Sequence, residues 1–213
     1  MKTDDLISML ATGVTPVDRH AVGRRFGIAV IVGAVLATLL MAATLHVRAD
    51  LADVAVTPLF WAKVALPFSL MLGALWMAAR LARPGMAPSA AWLGVSVPFA
   101  AVWLGAIQVI TLTPAAERAA AVLGQTWRVC PFNIVMLSVP VFIAVFWALR
   151  GLAPTRLRLT GAVGGLLSGA VATLAYCLHC PEMGVAFWGV WYVLGMLVPT
   201  ALGALLGPRL LQW

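Results

Sequence analysis

Six apolar stretches leave this chain little choice of solvent. They cover residues 26–45, 58–82, 89–111, 131–149, 159–177 and 185–206. Each comes close to the ~20 residues that a helix needs to cross a hydrocarbon core. A helix is the form open to a lone apolar run at that depth, because every backbone amide must be paired without water. The sequence therefore predicts an all-α, polytopic membrane protein. Its six-transmembrane-helix bundle spans 25–207, with a cytosolic segment over 1–24 and a short cytosolic tail over 208–213. Composition points the same way: 63% of the residues are hydrophobic and 10% charged, against about half and a quarter in soluble domains. The first run is too long, and too far from the start of the chain, to be a cleavable signal.

Charge sets the orientation. Ten of the fourteen Lys and Arg residues fall on the side of the N-terminus: Lys2, Arg19, Arg24, Arg25, Arg80, Arg83, Arg150, Arg156, Arg158 and Arg209. The other side holds Arg48, Arg118 and Arg128 with four acids, Asp50, Asp53, Glu117 and Glu182. The excess of positive charge on cytoplasmic loops predicts both termini in the cytoplasm of a bacterial inner membrane. The net charge of +7 thus belongs to membrane topology. The arginines flank apolar runs rather than clustering, so nucleic acid is not an expected partner and the bilayer is.

Within the spans, Gly161, Gly165 and Gly169 recur every fourth residue and share one helix face. Such a face lets a second backbone approach closely. Gly203 and Gly207 repeat the pattern in the last span. Pro67, Pro98, Pro140 and Pro199 sit inside spans, where each removes a backbone donor. No Asp, Glu or His lies near the middle of any span, which disfavours a proton- or ion-coupled transporter. Lys63 is the one buried-depth cation. It lies about five residues from the outer end of its span, beside Trp61, and reads as an anchor that snorkels to the interface. No phosphate loop, HExxH or dinucleotide motif is present, so no enzyme is expected.

Three cysteines stand together at one membrane face. Cys130 opens the fourth span before Pro131, and Cys177 and Cys180 close the fifth in Cys177-Leu178-His179-Cys180-Pro181-Glu182. The topology puts them in an oxidising compartment, where disulfides persist. A following proline biases Cys130 and Cys180 away from helix and towards exposed, reactive junctions. Two chemistries fit. Cys130 can be oxidised to a disulfide with Cys180 or Cys177. Alternatively Cys130, His179 and Cys180, with Cys177 or Glu182 as accessories, have the donor types of a transient soft-metal site. No resident cofactor is expected.

The N-terminal segment predicts one amphipathic helix. Thr3 is a capping residue, and Asp4 and Asp5 fall in the first turn, where the helix dipole favours carboxylates. Leu6, Ile7, Met9 and Leu10 form an apolar stripe at helical spacing, and Gly13 and Pro16 end it. A short helix alone is marginal in water, so the stripe needs a cover. Its polar face is acidic rather than basic, which favours a groove on a partner protein over the membrane surface.

These features together resemble one family. An Asp-Asp-Leu-Ile-x-x-Leu-Ala head precedes six spans, with Phe60-Trp61-Ala62-Lys63 in the second, Cys130-Pro131 opening the fourth and His179-Cys180-Pro181-Glu182 after the fifth. Over essentially the whole chain this is similar to the NrsF-type negative regulators of extracytoplasmic-function sigma factors. The resemblance implies an anti-sigma factor whose cytosolic head holds a sigma factor at the membrane. It also implies that two cysteines, by motif Cys130 and Cys180, release that partner under heavy-metal or oxidative stress. Cys177 is not part of the family pattern, and the resemblance raises Lys63 above a mere anchor. The head face would include Leu6, Ile7 and Leu10. Two other classes stay open. A membrane thiol–disulfide oxidoreductase usually needs two dithiol pairs, and three cysteines fall one short. A small metal transporter lacks its midspan ionisable groups.

Overall fold

The computed structural model describes residues 3–12, 18 and 20–212. Gly13, Pro16, Lys2, Arg19 and Trp213 lie outside them. The described residues are helical with short connections, and six helices are long and apolar enough to cross a membrane. In chain order they are α1 (Thr3–Ala11), α2 (Ala21–Thr44), α3 (Leu51–Ala55), α4 (Pro58–Leu81), α5 (Ala91–Leu112), α6 (Arg118–Leu123), α7 (Cys130–Arg150), α8 (Leu157–Cys177) and α9 (Val185–Leu210). The spanning helices are α2, α4, α5, α7, α8 and α9, one for each apolar stretch. An even number of crossings returns the chain to the face it entered from, opposite the cysteines.

The ends differ from the hydropathy reading by more than two residues in two places. α2 begins at Ala21, before the apolar run, and α9 continues through Pro208 to Leu210. Helical hydrogen bonding does not stop where lipid contact stops, so Arg24 and Arg25 ride on the first turns of α2. Other ends follow local chemistry. The Thr57 hydroxyl accepts the Phe60 N–H at the start of α4, and Pro58 occupies the first helical position, where its missing N–H costs nothing. Pro67, Pro98, Pro140 and Pro199 all stand inside continuing helices. The short helices α3 and α6 lie in the loops of the cysteine face, where the sequence carries no apolar period to announce them.

α8 is the axle of the bundle. It packs against α9, α7, α4 and α2, and 83% of its span is buried, against 11% for the peripheral α5. The small residues explain this. A methyl group added at Gly165 would collide with the Pro199 carbonyl and come within 2.8 Å of the Thr200 Cα. One at Gly161 would strike the Gly203 backbone and lie 2.9 Å from the Gly207 Cα. The glycine face expected from spacing therefore meets the glycine–proline face of α9, backbone against backbone. Without a hydrophobic drive between helices in lipid, such close contact supplies much of the association energy. One turn of α9, Trp188–Tyr192, is π-helical. The wider turn turns the Gly189 carbonyl outward, where it accepts the Trp103 indole N–H of α5 at 2.9 Å.

Candidate functional site: a buried thiol and cation cluster

The cysteines do not sit at exposed junctions. Cys130, Cys177 and Cys180 are free thiols and each is fully buried. The following prolines do not expose them, for a physical reason. Pro131 occupies the first turn of α7, where proline is tolerated, so Cys130 is helical and turned inward. Cys180 lies three residues past α8, in a turn whose amide donates to the Tyr176 carbonyl at 3.0 Å. The three thiols share one electrostatic neighbourhood with Lys63. Tyr176 faces Cys130 and Asn133, and Tyr192 closes the far side with a buried hydroxyl that has no hydrogen-bond partner among the described residues.

Lys63 also departs from its expected place at the interface. It does not snorkel: its side chain is fully buried, and its Nζ donates to the Cys180 main-chain carbonyl at 2.6 Å. The ammonium also stands 5.9 Å from the centre of the Tyr192 ring, within cation–π range. A lysine can reach the interface only if its helix face turns outward, and this face of α4 turns to α8. Trp61 beside it is exposed, with its indole N–H donated to the Ala55 carbonyl at 2.9 Å.

The sequence reading missed Arg48. Its Nη1 donates to the same Cys180 carbonyl at 3.1 Å, while Nε and Nη2 grip Asp50 at 2.7 and 2.8 Å. This fork holds the Asp50 carboxyl below the usual carboxylate range and raises the guanidinium. Two backbone contacts extend the strap. The Arg48 N–H donates to the Leu178 carbonyl at 3.1 Å, and His179 Nδ1–H donates to the His46 carbonyl at 2.8 Å. The usable signal was charge: Arg48 is one of few cations on the face that positive-inside bias depletes.

Among the described residues no three His, Cys, Asp or Glu side chains are grouped to hold a metal ion. His179 Nδ1 is engaged by the His46 carbonyl, which leaves Nε2 as its free ring nitrogen. One Glu182 carboxylate oxygen accepts the N–H groups of Gln125 and Thr126 at 2.6 and 3.0 Å and the Thr126 hydroxyl at 3.2 Å. Gly124, at φ +56, makes the turn that presents those amides, and a side chain there would meet the carboxylate. Glu182 thus ties the loop before α7 to the loop after α8.

None of the residues of α1 is buried. Asp4 and Asp5 occupy its first turn. Leu6, Ile7, Met9 and Leu10 are 41%, 58%, 65% and 69% exposed, so the apolar stripe lies open among the described residues.

Known proteins give this arrangement a context. The sequence model of the family described as "Negative regulator of sigma F" matches residues 10–213. A relative from Azospira oryzae, named "Probable anti-sigma-F factor NrsF", is 47% identical over the full length of both chains. The "Anti-sigma-F factor NrsF" of Caulobacter vibrioides is 37% identical, again over the full length of both. No solved structure matches. Cover of both chains from end to end, at that identity, leaves one assignment: the chain belongs to the NrsF family of negative regulators of sigma F.

Proposed function

We propose that this protein is an inner-membrane anti-sigma factor that holds an extracytoplasmic-function sigma factor through α1. We propose further that it lets go when Cys130 and Cys180 react under oxidative or heavy-metal stress. The observation that carries the first part is the open stripe of α1. A nine-residue amphipathic helix with no buried residue needs a partner groove to be stable, and the relatives are named for a sigma factor. The second part is supported by three free thiols gathered at the face opposite the head.

The chemistry balances without a resident cofactor. Oxidation joins the two sulfurs, and the thiols give up two protons and two electrons to a two-electron oxidant such as a hydroperoxide, which leaves as alcohol and water. Taking a partner from ~99% bound to ~99% released needs about 5.5 kcal/mol. A disulfide typically contributes about 2–4 kcal/mol, so it must act together with rearrangement of the surrounding cap.

Three experiments test this reading. A reporter active only outside the cytoplasm, fused near Thr113 or Met183, is expected to be active, and silent when fused at Arg83 or after the final residue. The reverse pattern would put the thiols in a reducing compartment and remove the oxidative trigger. Cys130→Ser and Cys180→Ser are each expected to keep the sigma factor bound but unresponsive to peroxide, cadmium or chromate, with a weaker effect for Cys177→Ser. Alkylation before and after stress should show Cys130 and Cys180 lost together and restored by reductant. Recovery by a chelator instead would replace the disulfide with metal capture. Normal release from both serine variants would make the cysteines structural.

A further inference from the structure

The buried ammonium of Lys63 has an unusual choice of partner. A lysine charge inside protein is costly unless it is paired, yet among the described residues no carboxylate takes it. Asp50 is gripped by the Arg48 fork, and Glu182 is committed to the amides of residues 125 and 126. The other groups around it are the thiols of Cys130, Cys177 and Cys180, Tyr192 and the Arg48 cation. What holds it is one main-chain oxygen, and that oxygen belongs to Cys180.

That carbonyl is part of the Cys180–Pro181 peptide. Proline stiffens its own backbone and restricts the residue before it, so the Cys180 thiol and the Cys180 carbonyl sit on one short, constrained unit. Pulling the sulfur towards α7 loads the oxygen that Lys63 and Arg48 both hold. Lys63 is anchored near one end of α4, and Arg80, near the other, bonds the Ala87 carbonyl in the loop to α5 at 3.0 Å. A helix of 24 residues covers about 36 Å, the full depth of the membrane.

We propose that Lys63 is the residue through which α4 reads the state of the Cys180 thiol. In the resting state its bond to the carbonyl fixes the outer end of α4 to the segment carrying Cys180. When the thiol reacts and the carbonyl turns, the ammonium loses its acceptor, and α4 shifts to find another. The movement is delivered at the opposite face, where the head emerges. Lys63 acts through Cys180, as a positioning residue and not as a reacting one. This inference rests on the thiol reading above.

The test uses the full chain in lipid nanodiscs with the sigma factor that co-purifies with it, treated with hydrogen peroxide. Three quantities are followed: alkylation of each cysteine, retained sigma factor, and hydrogen exchange in the first turns of α4. Lys63→Met is expected to oxidise Cys130 and Cys180 within about threefold of the unaltered rate. It should nevertheless release the partner at least ~10-fold less, a coupling change within the usual allosteric range. Exchange at the start of α4 should rise on oxidation in the unaltered protein and stay flat in Lys63→Met. Lys63→Arg, whose guanidinium can reach the same oxygen, should restore both responses. Release by Lys63→Met at the unaltered level, or a Lys63→Arg that behaves like Lys63→Met, overturns the proposal. If Lys63→Met fails to insert, Arg48→Gln removes the other donor from the same carbonyl and should weaken release about two- to fivefold; unchanged release there overturns it too. Oxidation without release in the unaltered protein is the failure of the thiol reading itself, and the two failures are thereby told apart.

Discussion

Replacing Leu6 and Leu10 together by Asp is expected to weaken sigma-factor binding at least ~100-fold while leaving the membrane bundle intact. Each substitution carries a carboxylate into an apolar groove, where an unpaired charge costs far more than an unpaired dipole. A combined loss of only about 3 kcal/mol already amounts to about 100-fold. The bundle should be indifferent, because no residue of α1 is buried against it. The paired variant Leu6→Ala with Leu10→Ala separates the contributions. Alanine keeps the helix, being its best former, so a smaller loss is expected from missing contact alone. Co-purification from detergent, quantified against the amount of inserted protein, gives both values. Full retention by the Asp pair would remove α1 from the interface, and with it the main support for the proposed mode of inhibition.

The second large effect lies in the middle of the membrane. Gly165→Val should lower stability by about 3 kcal/mol or more, at the upper end of what overpacking costs. The obstacle is the backbone of α9 around Pro199 and Thr200, so no change of rotamer relieves it and the helices must part. Gly164→Ala is the matched control. A methyl group there meets side-chain atoms of Leu149, Phe146 and Val145, which can adjust, and the expected cost is about 1 kcal/mol. By soluble-protein scaling, 3 kcal/mol in a chain of this size lowers the unfolding midpoint by about 6–12 °C. Thermal unfolding of the two variants in the same detergent checks the difference. Equal midpoints would mean that the glycine face is not the seat of the α8–α9 contact.

The spans were legible because hydropathy is a local sum, and the glycine face because a period of four places residues on one side of a helix. What the sequence could not carry was direction about the helix axis. Lys63 has the right depth for snorkelling, and depth was all that could be counted. Its acceptor is a carbonyl more than a hundred residues away, and a main-chain oxygen leaves no mark in a sequence. The same gap accounts for Cys130 and Cys180. The proline after each suggests a push towards the surface, whereas Pro131 opens a helix and the turn after α8 folds Cys180 inward. Glu182 looked like a spare ligand near thiols, and only the Gly124 turn shows that its carboxylate was needed as an acceptor for backbone amides. Arg48 stands out in the sequence only by its charge, and the carbonyl and carboxylate it holds leave no mark there. The cysteines were found as a group, and the polar strap that positions them was not.

The burial of α8 also has a consequence for how this protein is made. α8 has the lowest mean hydropathy of the six spans, 1.4, where α2 has 2.5. A segment that meets mostly protein need not be very apolar in the end, yet during synthesis it must still leave the translocon. Three of its four neighbours, α2, α4 and α7, precede it in the chain and can receive it. α9, which covers the glycine face, arrives afterwards. For the time it takes to translate some thirty residues, that face is open to lipid, with nothing against it but acyl chains. Membrane quality control would meet the chain at that stage, and a shortened product ending before α9 should be its preferred substrate.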